Sequence, residues 1–295
     1  LKPFKTMRYL RRLNSKRQAK KNILAHYDLG DELYQTFLDS KMQYSSAIFD
    51  VESNSLEEAQ VNKLTRICDQ LKLREDDHLL EVGSGWGGLA IFAAENYGCQ
   101  VTTTTISDNQ YRYAKNKIDA AGLSNKINLL SDDYRLLQGK FEKVVSVEMI
   151  EAVGKKYLSG YFQKLNDLLK PGGLLMLQAI TIADQRLKSY SSNEDFIQKH
   201  IFPGGFLPSV YLISKILADS TELVMRDFRD IGLDYSKTLS HWHKNLLEKK
   251  DALNQLGYDD QFYNLWTYYL GYCEGGFLER RISASQMLMS KAPHT

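Results

Sequence analysis

The run Glu81-Val82-Gly83-Ser84-Gly85-Trp86-Gly87-Gly88 places glycines where a backbone could approach a ligand closely and offer it N–H groups. Gly83, Gly85 and Gly88 also satisfy the dinucleotide fingerprint, so hydride transfer with a nicotinamide cofactor is one chemistry this turn could serve. A dinucleotide site needs an acid at the end of the following strand to bind the ribose, and that strand here ends Thr102-Thr103-Thr104-Thr105. The test weighs against an oxidoreductase without establishing another activity. Glu151 follows a further predicted strand, a position that favours the site, although taken alone it reads better as a surface or salt-bridging carboxylate. The run from Phe262 to Tyr272 holds Phe262, Tyr263, Trp266, Tyr268, Tyr269 and Tyr272 in one helix-like stretch, which reads as core. His241 and His243 are two apart, so on a helix they point to different faces and do not share a metal ion.

The elements that must position these groups alternate regularly. Ser55 and Glu58 stand at capping-box spacing before an amphipathic helix reaching Leu73. A strand at His78–Val82, a helix at Leu89–Tyr97 and a strand at Cys99–Thr105 make one βαβ unit around the glycine turn. Ser107 and Gln110 repeat the capping-box spacing before a helix ending near Gly122, and strands follow at Ile127–Leu130 and Lys143–Val147. A helix from Lys155 to Leu169 should stop at Pro171-Gly172-Gly173, with Leu174–Ile182 as the fifth strand. The expected fold is α/β and Rossmann-like, with a mostly parallel sheet and its site at the carboxyl ends of the strands. The rhythm breaks at about 183–222, where Phe196, Ile197, Ile201, Phe202, Phe206 and Leu207 suggest a helical insertion covering the site, before strands resume near Leu223.

Composition bounds the rest. A chain of 295 residues with 43% hydrophobic content can build a sizeable core, and no apolar run is long enough to span a bilayer. Cys68, Cys99 and Cys273 lie far apart, as reduced thiols of a cytoplasmic protein would. No secretory signal is visible, and the start at Leu1 suggests that a segment precedes it. Nine of the basic residues, from Lys2 to Lys21, stand without an acid among them; with a net charge of +2, the remainder carries −7. Residues 1–54 thus read as a basic arm plus helices covering the cofactor site, and 55–295 as the main domain. Such an arm suits an anionic surface, lipid or nucleic acid, or is a solvated helix. Phe4, Met7, Leu10 and Leu13 would let it lie flat.

Several motifs in one order resemble the catalytic domain of cyclopropane fatty acid synthases and mycolic acid cyclopropane synthases. They are His26-Tyr27-Asp28, Met42-Gln43-Tyr44-Ser45, the glycine turn, Thr105-Ile106-Ser107, Asp133-Tyr134-Arg135, Phe202-Pro203-Gly204-Gly205 and Tyr268-Tyr269-Leu270. The resemblance covers the chain from about Asn22 and implies an S-adenosylmethionine-dependent methyltransferase. It implies Tyr44, Ser45, Gly83 and Gly85 around the methionine part of the cofactor, Thr105 and Gln110 near the ribose, and Asp133 and Tyr134 beside the adenine. A carboxylate can accept the adenine amino group and a tyrosine can stack on its face, whereas without the resemblance the pair would read as a turn cap and core.

The implied reaction attacks the cis double bond of an unsaturated acyl chain of a phospholipid and leaves a cyclopropane ring or a methyl or methylene branch. The family base is a bicarbonate ion held by side chains and backbone amides, which points to Glu151, Tyr235, Gln178, Ser46 and Ile180 as the catalytic set. Glu151 and Tyr235 match the family residues. Ser46 replaces the usual cysteine, Gln178 the usual histidine, and Glu148 stands where many members have glycine. Glutamine does not titrate, so the ring-closing step is the one these departures touch. The expected setting is cytoplasmic, peripheral to the inner face of a membrane, with phospholipid and an anionic surface as partners, no nucleic acid, and a homodimer as an option. The alternatives are a small-molecule methyltransferase and, outside enzymes, a basic-armed nucleic-acid-binding module.

Overall fold

The computed structural model describes residues 29–52 and 54–293. The basic arm and the His26-Tyr27-Asp28 motif lie outside the described residues. The first helix, α1, spans Asp31–Phe37. Helix α2, Leu56–Gln70, begins with both halves of the Ser55/Glu58 capping box formed. Strand β1 (His78–Val82) runs through the glycine turn into α3 (Gly88–Tyr97), followed by β2 (Gln100–Thr104), α4 (Asp108–Ala120), β3 (Ile127–Leu130) and β4 (Phe141–Val147). At α4 only half of the expected box forms: Ser107 accepts the Gln110 N–H, while the Gln110 side chain turns away to accept a bond from Thr105 Oγ1 at 2.9 Å.

Helix α5 (Leu158–Leu168) starts later than the sequence suggests, after a 3-10 turn at Lys155–Tyr157, and ends before Pro171. Strand β5 (Leu169–Ile182) begins at once, and the register jumps from Phe141↔Leu169 to Lys143↔Leu174, so the Pro-Gly-Gly segment is looped out of the ladder. Proline disfavours helical backbone in the residue before it and donates no N–H, which accounts for both the early stop and the bulge. The insertion contributes α6 (Asp184–Tyr190), α7 (Phe196–His200) and α8 (Val210–Ser220). Then come β6 (Leu223–Asp230), α9 (Gly232–Glu248), α10 (Lys250–Gln255), α11 (Asp260–Leu278) and β7 (Ile282–Lys291).

The seven strands lie in the order β3-β2-β1-β4-β5-β7-β6, parallel except that β7 runs antiparallel to β5 and β6. Alternation along the strands builds two cores. Leu79, Val145 and Met176 face α2 and α3 residues such as Leu64, Ile67 and Ala90, whereas Leu80, Val144, Leu175 and Leu177 face Tyr161, Phe162 and Ile213. Ile213 and Leu217 of α8 therefore cover the sheet, which leaves the segment between α6 and α8 to border the site. A third core is helical, built on Tyr34, Phe37, Trp242, Trp266 and Leu270. No described helix is long and apolar enough to cross a membrane.

Candidate active site

At the carboxyl end of β1 the chain enters a cavity of about 160 Å³ lined by Tyr44, Ser45, Gly83, Gly85, Thr105 and Gln110, and by Asp133 and Tyr134 at the end of β3. All eight residues that the sequence assigns to the cofactor therefore border one space. Gly85 sits at φ +50, and a Cβ there would meet no protein atom within 4 Å, so a side chain at this position would enter open space beside the cavity. Gly88 serves differently: a Cβ would strike the Lys41 carbonyl and the Gln43 amide, so its bareness lets the 41–45 segment close over the start of α3. The Trp86 indole N–H donates to Asp31 at 2.7 Å, tying α1 to the same turn. Asp133 caps the 3-10 turn Tyr134–Leu136 and pairs with Arg135 at 2.5 Å, yet it lines the cavity, so a structural and a binding part coexist in one side chain.

Beneath this wall lies Lys63 of α2, fully buried, a site residue that sequence reasoning missed. Its ammonium donates to Gln43 Oε1 at 2.6 Å and Ser45 Oγ at 2.8 Å, fixing the segment that carries Tyr44. Burial pulls its pKa down to about 8, against the opposing pull of Asp39, Glu148 and Glu81.

A second cavity, of about 450 Å³, adjoins the first, and Tyr44, Glu148 and Ala152 line both. That volume falls within the roughly 300–1,000 Å³ usual for small-molecule sites. Its walls include Ile197, Phe202, Phe206 and Leu207 from the insertion and Tyr269 and Phe277 from α11. It ends at exposed Arg186, Glu279 and Arg281. The aromatic run thus divides: Trp266 and Tyr269 are buried, whereas Tyr268 and Tyr272 are exposed, with Phe196 packed on both. The Tyr269 hydroxyl meets that of Tyr44 at 2.9 Å, and the Phe206 N–H donates to the Glu151 carbonyl at 2.9 Å, which ties the Pro203-Gly204-Gly205 loop to the turn that follows β4.

Where the cavities meet, three of the five candidate catalytic residues, Ser46, Gln178 and Tyr235, converge on Glu148, a carboxylate that the sequence marks only as a departure from glycine. Glu148 Oε1 accepts from the Ser46 N–H and from Gln178 Nε2, each at 2.9 Å, and Oε2 accepts from the Tyr235 hydroxyl at 2.7 Å. Register explains the convergence. Val147, the last residue of β4, pairs with Gln178 of β5, and Gln178 pairs with Gln286 of β7, whose amide donates to Gln178 Oε1 at 2.9 Å and so turns the Gln178 N–H₂ toward Glu148. Ile180 enters through its backbone, its N–H donating to Glu151 Oε1 at 2.5 Å, while Glu151 Oε2 has no hydrogen-bond partner. Gln178 and Ser46 lie just behind the cavity wall rather than on it.

Both carboxylates are deep in the protein, and what surface they keep faces the cavities they line. Burial, and then the nearby Glu148 charge, push Glu151 up to about 8, so it is protonated at neutral pH. Burial also raises Glu148, while the Gln178, Tyr235 and Ser46 donors and the Lys63 charge work against it, so its ionised form has three donors where that of Glu151 has one. Tyr235 is pushed well above its ordinary range, by burial first and by Glu148 next, and stays a donor.

Residues 14–287 match the profile of the family described as mycolic acid cyclopropane synthetase. The chain belongs to this family. It is 39% identical over 271 residues to tuberculostearic acid methyltransferase UfaA1 of Mycobacterium tuberculosis, a match covering 90% of this chain and 63% of that protein. It is 37% identical over 279 residues to cyclopropane-fatty-acyl-phospholipid synthase of Escherichia coli K12, covering 95% and 70% respectively. The structure of mycolic acid cyclopropane synthase CmaA1 complexed with SAH and CTAB superposes with a TM-score of 0.86 at 26% identity, over 92% of this chain and 98% of that one. Family membership places the chain among S-adenosylmethionine-dependent C-methyltransferases with the class I fold, and sets aside the nicotinamide reading of the glycine turn.

Proposed function

We propose that this cyclopropane synthase family member transfers a methyl group from S-adenosylmethionine to the cis double bond of an unsaturated phospholipid acyl chain, leaving a cyclopropane ring or a methylene branch. The observation that carries the reading is the junction at Tyr44, Glu148 and Ala152, where a cavity at the strand ends adjoins an apolar one. The donor supplies an electrophilic sulfonium methyl. An isolated alkene is a poor nucleophile, so the protein must hold the acyl chain close to that methyl and exclude water from the cation that results. Ile197, Phe202, Phe206 and Leu207 give the water-poor wall, and Tyr44 and Tyr269 present electron-rich groups near the junction.

The eight residues of the first cavity would hold the donor, with Asp133 and Tyr134 at its adenine, and the 29–49 segment closing over it. At the far end, Arg186 and Arg281 suit a lipid phosphate, and exposed Tyr268 and Tyr272 suit the interfacial depth of a bilayer. The basic arm would add attraction to an anionic inner leaflet. Radiolabel carried from the methyl donor into monounsaturated but not saturated phospholipid vesicles is the expected result. Label that enters only a water-soluble acceptor would instead support a small-molecule methyltransferase.

A further inference from the structure

Glu148 occupies a backbone position made for glycine. Its φ is +48, a left-handed conformation that other L-residues rarely adopt, and it follows directly on β4, where its N–H donates to the Gln178 carbonyl at 2.8 Å. A long acidic side chain held there, against both backbone preference and the cost of burying charge, calls for a compensating interaction. The three donors of Ser46, Gln178 and Tyr235 supply it. Glu151 meanwhile takes the Ile180 N–H.

The groups that the family resemblance gives to a bicarbonate ion are therefore already engaged by two carboxylates of the chain itself. A bicarbonate would have to displace Glu148 from its donors and then sit as a second anion beside it in a buried site. Bicarbonate does not fit here. Gln178 in place of histidine agrees with this arrangement, since a fixed amide N–H satisfies a permanent carboxylate without titrating.

We propose that Glu148 is the base of this enzyme, a built-in carboxylate standing where relatives would bind bicarbonate. The inference rests on the methyl-transfer reading above. The alkene π pair forms a new C–C bond to the methyl carbon as its S–C bond breaks, the S–C electron pair staying on sulfur as neutral S-adenosylhomocysteine, and the other alkene carbon becomes cationic. Glu148 takes a proton from the new methyl group, and the C–H electron pair closes the third ring bond. If a hydride first shifts from the methyl-bearing carbon to its cationic neighbour, the same proton loss leaves a C=CH₂ methylene branch on the chain. In either case Glu148 ends as the neutral acid and returns the proton to solvent during turnover, and no reductant or oxidant is needed. Glu151, itself protonated, leaves Glu148 free of a second charge.

The test compares wild type and Glu148→Gly in carbon-dioxide-free buffer, with monounsaturated phosphatidylglycerol vesicles and labelled methyl donor. Wild type should form product at a rate unchanged by added bicarbonate. Glu148→Gly suits the left-handed backbone and removes a buried charge, so it should fold, which circular dichroism checks. It should lose product by about a hundredfold, the scale of an acid or base group, and regain part of it on addition of bicarbonate or formate. Line broadening of ¹³C-bicarbonate should appear with Glu148→Gly and not with wild type. Strong bicarbonate stimulation of wild type, or full activity of Glu148→Gly without any added anion, would overturn the proposal. Absence of labelled lipid from wild type in every buffer would instead defeat the methyl-transfer reading on which it rests.

Discussion

The two cavities are built in opposite ways. The one at the glycine turn owes its shape to backbone conformation: a left-handed Gly85, the bare Gly88 under the 41–45 segment, a capped 3-10 turn at Asp133, and strand ends that face it. The one beside it is made of side chains from distant segments, with Ser46, Glu148, Gln178 and Tyr235 joined through one carboxylate. A backbone site tolerates little added volume but survives exchange of many side chains. A side-chain site whose charges are buried depends on every donor, because each lost bond leaves desolvated charge behind.

The sharpest way to break the first region is to fill it. Gly85→Val should abolish S-adenosylmethionine binding by calorimetry. Because φ +50 strains a β-branched residue, Gly85→Asn is the companion variant, asparagine being tolerated in that conformation. If both variants fold and bind with undiminished affinity, the turn is not part of the donor site.

The second region should respond to loss of a single oxygen. Tyr235→Phe removes a hydrogen bond to a buried charge, worth about 1.5–3 kcal/mol, so product formation should fall roughly tenfold or more. The missing donor also raises the Glu148 pKa, which moves the acid limb of the rate profile to higher pH. An unshifted limb would separate Tyr235 from the base.

Glu151 should give a smaller and pH-dependent effect. Above about pH 8 it ionises beside Glu148, so wild-type activity should decline there, and Glu151→Gln, a mimic of the neutral acid, should lose that alkaline limb while costing less at pH 7 than Glu148→Gln. The stability sign follows from the same shift. With a folded pKa near 8 against an ordinary 4.5, the protonated group contributes stability that is fully present below 4.5 and lost as pH rises through 8. The unfolding midpoint should therefore drop over that window less steeply in Glu151→Gln than in wild type. A hundredfold loss at pH 7 in Glu151→Gln would return the role of base to Glu151.

The smallest effect belongs to the region that joins neither cavity. Removing residues 1–21 should weaken flotation with anionic vesicles and its salt sensitivity, each basic residue near the surface contributing about 1 kcal/mol at most. Equal binding with and without the arm would leave membrane contact to the cavity mouth.

This division also decides what could be read from the sequence. The cavity proposed for the donor follows from local signals: strand, glycine turn, helix cap and strand end lie within runs whose periodicity is plain. Even there, the Pro171 bulge shows that a stop signal gives the end of a helix more loosely than its existence. The insertion of β7 between β5 and β6 is a non-local pairing, with no trace in the order of the strands. Lys63 was hidden because an amphipathic pattern hands a lysine to solvent, and only the placement of Gln43 and Ser45 above it turns it inward. Glu148 did leave a signal. Its departure from glycine coincides with Ser46 and Gln178, two more departures at positions that meet in space, and three such changes at one site amount to a rebuilt anion site rather than a weakened one.

The fate of the transferred carbon reports most directly on methyl transfer to the alkene. Wild type incubated with ¹³C-methyl donor and monounsaturated phospholipid vesicles in carbon-dioxide-free buffer should yield lipid in which NMR finds the label as a ring methylene bonded to both former alkene carbons, or as a C=CH₂ methylene branch on one of them. A lipid fraction without label, from protein that binds the donor, would contradict it.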